Sequence, residues 1–242
     1  MRNVFAWILA AILSFGAAIA QADELTKDDV KRLALEAILE NPEIIMQAVD
    51  ILQKREAEAE AATAQSVLSE QRDLLENDAN APVIGNPAGD VTIVEFFDYN
   101  CPYCKRAAPV IQNVIGDDTG VRVVYREWPI LGEGSVFAAR AALAARNQGK
   151  YEEFHWAMME MKPKANEATV MQVARDLGLD LAKLKVDMEA PEVDDHIRIS
   201  MMLASNLGFN GTPSFVIGDA LAPGLVPEEE IKRLIAEIRA DR

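Results

Sequence analysis

The stretch that decides the fold is VTIVEFFDYNCPYCK, residues 91–105. Its first part is β-branched and aromatic, a composition that favours a central β-strand. Pro102 follows Cys101 directly, and the first turn of a helix tolerates proline because the missing N–H is not needed there. The stretch therefore predicts a strand over residues 91–99 that leads into a helix, with Cys101 at the junction.

The chain contains two cysteines, Cys101 and Cys104, and three uses for them compete. A structural disulfide across so short a loop would remove little entropy from the unfolded chain. A structural zinc site needs four ligands, and the chain offers only His155 and His196 besides the thiols. Thiolates and some of the nine methionines could bind Cu(I), although methionine at helical spacing more often fills a core. A redox-active pair is favoured, and copper binding stays open as an alternative.

The position of each thiol suggests its role. Unpaired N–H groups and a partial positive charge at a helix N-terminus stabilise a thiolate. We therefore expect Cys101 to be an exposed nucleophile and Cys104, one turn further on, to be buried and to resolve a mixed disulfide. Tyr103 lies between the thiols and can tune the pair. Glu95 lies in the middle of the preceding strand; it is either exposed, or buried with a raised pKa that would let it accept a proton from Cys104.

The first residues resemble a leader rather than part of the core. Arg2 precedes an apolar stretch over residues 4–19, and small residues suited to cleavage follow up to Ala22. This pattern predicts a secretory signal peptide at residues 1–22, with an uncleaved anchor as the alternative. The formal net charge of −15 argues against nucleic acid and anionic lipid as partners.

Residues 23–80 are predicted to be helical throughout. Asn41 is expected to cap a second helix, with Pro42 as its first residue. Apolar positions between Leu25 and Leu52 recur at helical spacing and suggest a self-association segment. The Glu- and Ala-rich run that follows contains few apolar side chains and is interpreted as a solvated helix face. The helix that carries it is expected to pack either on the next domain or on copies of itself.

A new domain is predicted to begin near residue 81, after a segment rich in Asn, Asp, Gly and Pro. The strand over residues 91–99 and its helix are followed by a second strand over residues 121–128. A helical block then extends over about residues 133–208. A strand over residues 212–218 and a C-terminal helix complete an α/β domain in which helices pack on a small sheet.

Two motifs, VTIVEFFDYNCPYCK and the later GTPSFVIG at residues 211–218, resemble the DsbA-like branch of thioredoxin-fold thiol–disulfide oxidoreductases. The resemblance implies a thioredoxin fold with an inserted helical domain over residues 81–242. It implies that Cys101 is the nucleophile and Cys104 the resolving thiol, and it favours a buried Glu95. It also implies a cis-proline loop at Thr212 and Pro213 that holds the substrate backbone. Pro102 and Tyr103, which lie between the two cysteines, would also contact the substrate. The strongly oxidising founder of this branch has a histidine where this chain has Tyr103, so the resemblance does not extend to strong oxidising power.

The N-terminal helices resemble the extension of the suppressor-of-copper-sensitivity C proteins, which in some members gathers the catalytic domains into a trimer. This resemblance implies a periplasmic disulfide isomerase or reductase that acts on unfolded or wrongly disulfide-bonded exported proteins. A membrane thiol–disulfide reductase or oxidase would be its redox partner. A disulfide-forming oxidase and a copper-binding protein are the alternatives. Neither a metal nor another cofactor is expected for catalysis.

Overall fold

The computed structural model describes residues 26–242. The predicted signal peptide at residues 1–22 and Leu25, the first apolar position of the predicted association segment, lie outside the described residues. The chain divides into two compact units, Met1–Ala57 and Glu58–Arg242. In the part of the chain that the structure describes, no helix is long and apolar enough to cross a membrane.

The described part of the first unit contains helix α1, Lys27–Glu40, and the beginning of helix α2, Glu43–Asn77. α1 starts at a capping box in which the Thr26 hydroxyl accepts a hydrogen bond from Asp29 N at 3.2 Å. The prediction that Asn41 caps α2 is wrong. Its backbone N–H and its side-chain amide both donate to the Ala37 carbonyl, at 3.1 and 3.2 Å, so Asn41 ends α1 instead. None of residues 26–57 is buried.

The second unit contains a five-stranded sheet with the strand order β1-β3-β2-β4-β5. The strands are β1, Val83–Gly85; β2, Val91–Phe97; β3, Val121–Glu127; β4, Ser214–Ile217; and β5, Ala220–Pro223. β2 and β3 are parallel, whereas the other neighbouring pairs are antiparallel. β2 lies in the middle, as its apolar sequence predicts, and all of its residues except Thr92 are buried.

The two edge strands were not predicted from the sequence, and the three other strands are shorter than predicted. β1 has three residues and lies in the segment that resembles a linker, while β5 has four residues and follows the tight turn at Gly218. β2 ends at Phe97 and β3 at Glu127, two residues and one residue earlier than predicted. β4 begins at Ser214 because Pro213 has no N–H to donate to the ladder.

Helices α3 to α9 complete the second unit. Their bounds are α3, Pro102–Asp117; α4, Glu133–Ala145; α5, Tyr151–Glu160; α6, Glu167–Asp176; α7, Leu181–Asp187; α8, Pro191–Asn206; and α9, Glu228–Ala240, with a short 3₁₀ turn at Arg146–Gln148. α4 to α8 lie between β3 and β4 and form the inserted helical domain of the predicted thioredoxin fold. Asn166 and Asp180 cap α6 and α7 with their side chains.

Cores lie on both faces of the sheet. Ile93 and Phe97 belong to the larger core, together with residues of α3, α9 and the insertion. The smaller core joins the opposite face of the sheet to α2 and α8, through Val94, Phe96, Leu68, Leu75 and Leu203. Because residues 58–77 of α2 cover this face, the boundary between the units falls after Ala57 and not at residue 80, where the composition changes.

Candidate active site

Cys101 and Cys104 lie where the chain leaves β2 and enters α3. Cys101 N donates to the Asp98 carbonyl at 3.0 Å and closes a turn, and the Cys101 carbonyl accepts from Lys105 N at 3.1 Å. Cys101 is the N-cap residue of α3 and Pro102 is the first residue of the helix. The predicted order of strand, turn and helix is therefore present, with both thiols in the first turn.

The Cys101 thiol is unusually acidic. Both cysteines are free. The pKa of Cys101 is lowered most by the hydrogen bond from the Cys104 thiol. Hydrogen bonds at Thr212 and from backbone N–H groups at the start of α3 lower it further. Together they outweigh the effect of partial burial and bring the pKa of Cys101 to about 5. The thiolate therefore predominates at neutral pH, and the thiolate is the form that attacks disulfides.

The prediction that Cys101 is exposed is wrong for the residue as a whole, which is 4% exposed. Its Sγ lies 3.1 Å from the Thr212 carbonyl oxygen, to which the thiol donates when it is protonated, so the loop before β4 covers much of the residue. Pro102 and Tyr103 are exposed beside it. The approach to the Cys101 sulfur is thus bounded by Tyr103 on one side and by the Thr212 loop on the other.

Cys104 differs from Cys101 in both burial and acidity. Its side chain is fully buried. Burial first, then its hydrogen bond to Cys101 and the negative charge of Glu95, raise the pKa of the Cys104 thiol far above its ordinary value. At neutral pH the site therefore pairs a thiolate at Cys101 with a protonated thiol at Cys104.

Glu95 is buried, which is one of the two interpretations that the sequence left open. The residue is 2% exposed and lies in β2, on the same face of the sheet as Ile93 and Phe97. Burial first, and the negative charge of Cys101 second, raise the pKa of Glu95 to about 8. The carboxyl group is therefore mainly protonated at pH 7 and can exchange its proton close to neutral pH.

The Thr212–Pro213 peptide bond is cis. The loop lines a cavity of about 420 Å³ together with residues from the start of α3 and the end of β5, among them Tyr103, Asn210, Pro223 and Leu225. Tyr103 is 52% exposed, and the Arg106 guanidinium lies 4.3 Å from the centroid of its ring. The cavity thus brings Tyr103 together with Thr212 and Pro213, residues that are more than 100 positions apart in the sequence.

Two residues that were not predicted from the sequence, Asp98 and Asn100, anchor the cysteine turn to the inserted domain. Asp98 Oδ1 accepts from the Ser135 hydroxyl at 2.7 Å, and Asp98 Oδ2 accepts from Leu131 N at 2.9 Å. Asn100 Oδ1 accepts from Ala165 N at 2.7 Å. The only sequence signal was a pair of polar side chains at the end of an apolar strand, because their partners lie more than 30 residues away.

The alternative metal ligands lie apart from the thiols or inside the core. His155 and His196 are both buried, and burial lowers the pKa of His155 to about 3. The methionines are divided between the core and the surface: Met158 and Met159 are buried, whereas Met201 and Met202 are 48% and 38% exposed on α8. Within residues 26–242, no group of three or more His, Cys, Asp or Glu side chains is arranged to hold a metal ion.

Comparison with known proteins agrees with this geometry. Residues 92–236 match the model of the DSBA-like thioredoxin domain, and residues 27–59 match the model of the copper resistance protein ScsC N-terminal domain. A thioredoxin-like oxidoreductase from Silicibacter pomeroyi is 63% identical, with a TM-score of 0.69 over 70% of this chain and 98% of that one. A linker-deletion variant of Proteus mirabilis ScsC is 26% identical, with a TM-score of 0.71 over 93% of this chain and all of that one.

One relative that contains a similar segment is a much longer protein. The Na(+)/H(+) antiporter NhaA 3 of Salinispora tropica is 31% identical over 137 residues, which are 56% of this chain and 21% of the antiporter. The chain thus spans about a fifth of the length of this relative. The family match, by contrast, covers more than half of the chain and contains both cysteines, Glu95 and the cis-proline loop. The chain therefore belongs to the DsbA-like thioredoxin-domain family of thiol–disulfide oxidoreductases, and it carries an N-terminal segment of the ScsC type.

Proposed function

We propose that the protein is an exported thiol–disulfide oxidoreductase that works through the pair Cys101-Pro102-Tyr103-Cys104. The observation that carries the proposal is the contrast between the two thiols: Cys101 has a pKa of about 5, and the buried Cys104 next to it has a pKa far above its ordinary value. A stable thiolate next to a protonated thiol suits attack on a disulfide followed by resolution within the pair.

In the first step the Cys101 thiolate attacks one sulfur of a substrate disulfide. A bond forms between Cys101 and that sulfur, and the other substrate sulfur leaves as a thiolate. Two outcomes follow. In isomerisation a substrate thiolate attacks the mixed disulfide and regenerates the Cys101 thiolate. In reduction Cys104 attacks the Cys101 sulfur, and the substrate leaves with a second thiolate while Cys101 and Cys104 form a disulfide. The Cys104 proton passes to Glu95 in its ionised form, which is more populated once Cys101 has lost its negative charge in the mixed disulfide.

Substrate is proposed to bind in the cavity of about 420 Å³ beside Cys101. Thr212 and Pro213 would hold the substrate backbone next to the reactive sulfur, while Pro102 and Tyr103 form the other side of the site. The exposed Tyr103 ring offers an apolar face of the kind that packs against a partly unfolded chain. Unfolded or wrongly disulfide-bonded exported proteins are therefore the proposed substrates.

The proposed direction is isomerisation or reduction in the periplasm, where a membrane thiol–disulfide reductase would restore the dithiol. The predicted signal peptide supports export, and the segment of the ScsC type supports a homo-oligomer, with a trimer as the proposed state. Several active sites in one assembly would hold a misfolded substrate long enough to exchange its disulfides. Disulfide formation remains the alternative direction, with a membrane oxidase as the partner.

The reduction potential of the Cys101–Cys104 pair separates these directions. A thiol with a pKa of about 5 falls between thioredoxin, at about 7, and DsbA, at about 3.5. We therefore expect a potential between about −270 mV and −120 mV, the values of those two proteins. A potential near that of DsbA would favour the oxidase, and one near that of thioredoxin would favour the reductase.

The proposed function is tested with a substrate protein whose disulfides have been scrambled. Cys101→Ala is expected to abolish both reduction and reshuffling, because it removes the attacking sulfur. Cys104→Ala is expected to accumulate a mixed disulfide that mass spectrometry locates at Cys101. Met201→Ala removes an exposed sulfur from α8 and serves as the matched control, with unchanged activity. Full activity in Cys101→Ala would contradict the assignment.

A second candidate is Cu(I) binding, which is favoured by the match of residues 27–59 to the N-terminal domain of a copper resistance protein. The Cys101 thiolate is a soft ligand of the kind that Cu(I) prefers. Titration of the reduced protein with Cu(I) against a competing chelator tests this function. Tight binding that requires Cys101, in a protein without disulfide-exchange activity, would favour this candidate over the oxidoreductase.

A further inference from the structure

Arg106 differs from every other arginine of the second unit. Within residues 58–242, each of the others donates at least one hydrogen bond, and most of them pair with a carboxylate. Arg106 is exposed and has neither a hydrogen bond nor an ion pair in that part of the chain; its guanidinium lies over the Tyr103 ring, 4.3 Å from the centroid. This cation is thus left without a carboxylate in a chain whose 39 acidic residues outnumber its 24 basic ones.

The contact with Tyr103 holds the guanidinium at the rim of the active site. The two residues are three positions apart in α3, a spacing that places them on the same face of a helix. Helical side chains lean toward the N-terminus of their helix, which for α3 is the end that carries Cys101. Tyr103 in turn lines the cavity of about 420 Å³. Arg106 therefore lies beside the cavity in which substrate is proposed to bind.

The cavity contains no group that would neutralise this cation. All eight residues that line it are uncharged. The neighbouring cation on α3, Lys105, donates its amine to the Met161 carbonyl at the end of α5 and is thereby engaged with the inserted domain. At physiological ionic strength, exposed charges more than about 8 Å apart are largely screened from each other. A substrate at the cavity therefore meets the positive charge of Arg106 more strongly than the net charge of −15 of the whole chain.

The acidity of Cys101 does not account for the position of Arg106. The hydrogen bonds that lower the pKa of Cys101 involve Cys104, Thr212 and backbone N–H groups at the start of α3, and Arg106 is not among these partners. Its contact with Tyr103 lies within one helix and ties no two elements together. A guanidinium that lies over an aromatic ring still presents N–H donors along its edge, where a carboxylate can accept two of them.

We propose that Arg106, held in place by Tyr103, binds an acidic side chain of the substrate next to the cysteine that Cys101 attacks. The proposal rests on the proposed function and specifies its favoured substrates as polypeptides whose disulfides are flanked by Asp or Glu. Arg106 takes no part in the exchange of bonds: Cys101 forms a bond to one substrate sulfur, and the other sulfur leaves as a thiolate with the electron pair of the broken bond. A bidentate pair with Arg106 would orient the substrate segment along the cavity.

The test uses two peptides that differ only in the residue next to a single cysteine, which is Glu in one and Gln in the other. Each peptide is a disulfide-linked dimer, so that both sulfurs have the same neighbours. The rate at which the reduced full chain cleaves each peptide is measured at pH 7 and about 0.15 M salt. Each rate is divided by the rate with dithiothreitol, which removes the difference in reactivity between the peptides themselves.

The wild type is expected to cleave the Glu peptide about threefold to fivefold faster than the Gln peptide, the range of a favourable exposed ion pair. Arg106→Gln should lower this ratio to about one, and Arg106→Glu should lower it below one, because like charges would then meet. Arg198→Gln removes another exposed arginine, on α8, which packs on the opposite face of the sheet, and it should keep the wild-type ratio.

Three results would overturn the proposal: equal rates for the two peptides in the wild type, a preference for Glu that persists in Arg106→Gln, or a ratio that falls equally in Arg198→Gln. The last would assign the preference to the general field of the protein. The proposed function is judged separately in the same experiment, because cleavage of the Gln peptide requires Cys101 but not the charge of Arg106. A wild type that cleaves neither peptide would contradict the proposed function itself.

Discussion

Helix α2 extends through both units, and the apolar side chains in its two parts differ in their exposure to solvent. Leu52, in the first unit, is 63% exposed, whereas Leu75, in the second, is 1% exposed and packs beneath the sheet. The first unit exposes a whole set of large apolar side chains, namely Val30, Leu33, Leu35, Ile38, Leu39, Ile44, Ile45, Met46, Val49, Ile51 and Leu52. The second unit therefore has a core of its own, whereas the first presents a surface that suits association with other copies.

The largest effect is expected from variants that test whether the first unit associates with other copies of the chain. Leu39→Glu and Leu52→Glu, made together in the full chain, should lower the mass in light scattering about threefold, from the proposed trimer to a monomer, because charges would enter the proposed interface. Disulfide isomerisation should fall with the mass, whereas alkylation of Cys101 should keep its wild-type rate. Gln53→Glu adds the same charge at an exposed polar position and is the control. An unchanged mass in the double variant would remove the proposed role of the first unit.

A second prediction compares the two leucines directly. Leu75→Ala should lower the free energy of unfolding of the second unit by about 2–5 kcal/mol, because it leaves a cavity beneath Phe96 and Val94. Leu52→Ala should change the same free energy by less than about 0.5 kcal/mol. Denaturant unfolding followed by tryptophan fluorescence measures both, because Trp128 lies in the core that contains Leu75. Equal losses in the two variants would contradict the division into units.

A third prediction concerns pH. The pKa of Glu95 is raised in the folded protein from 4.5 to about 8, so between these values the folded state binds more protons than the unfolded state. Wild-type stability should therefore fall as the pH rises from 5 to 8 on account of this group. Glu95→Gln removes the titration, and its stability relative to the wild type should rise by up to about 1.4 kcal/mol per pH unit over that window. Parallel stability curves for the two proteins would contradict a raised pKa of Glu95.

Much of the fold was predictable, because local sequence determines it. The apolar run into Cys101, the proline after it and the caps at Asn166 and Asp180 each act within a few residues. The edge strands were missed because three or four residues give little pattern. The compact unit that contains the sheet begins at Glu58, because α2 already packs against the sheet at Leu68, although the composition changes only near residue 80.

The site was predictable to a similar extent. Spacing and placement at a helix N-terminus pointed to the two thiols, and resemblance pointed to the cis bond before Pro213, which the structure contains. The burial of Cys101 by the loop at Thr212 was not predictable, because the two residues are 111 positions apart in the sequence. The same holds for the partners of Asp98 and for the pairing of Glu95 with Tyr125, which depend on strand register.

The most direct test of the account is the rate of Cys101 alkylation in the reduced protein as a function of pH, with the adduct located by mass spectrometry. The hydrogen bonds at the start of α3 predict that the rate rises with a midpoint at about pH 5 while Cys104 stays unmodified. A midpoint at about pH 8.5, the value of an ordinary cysteine, would contradict the stabilised thiolate on which the proposed function rests.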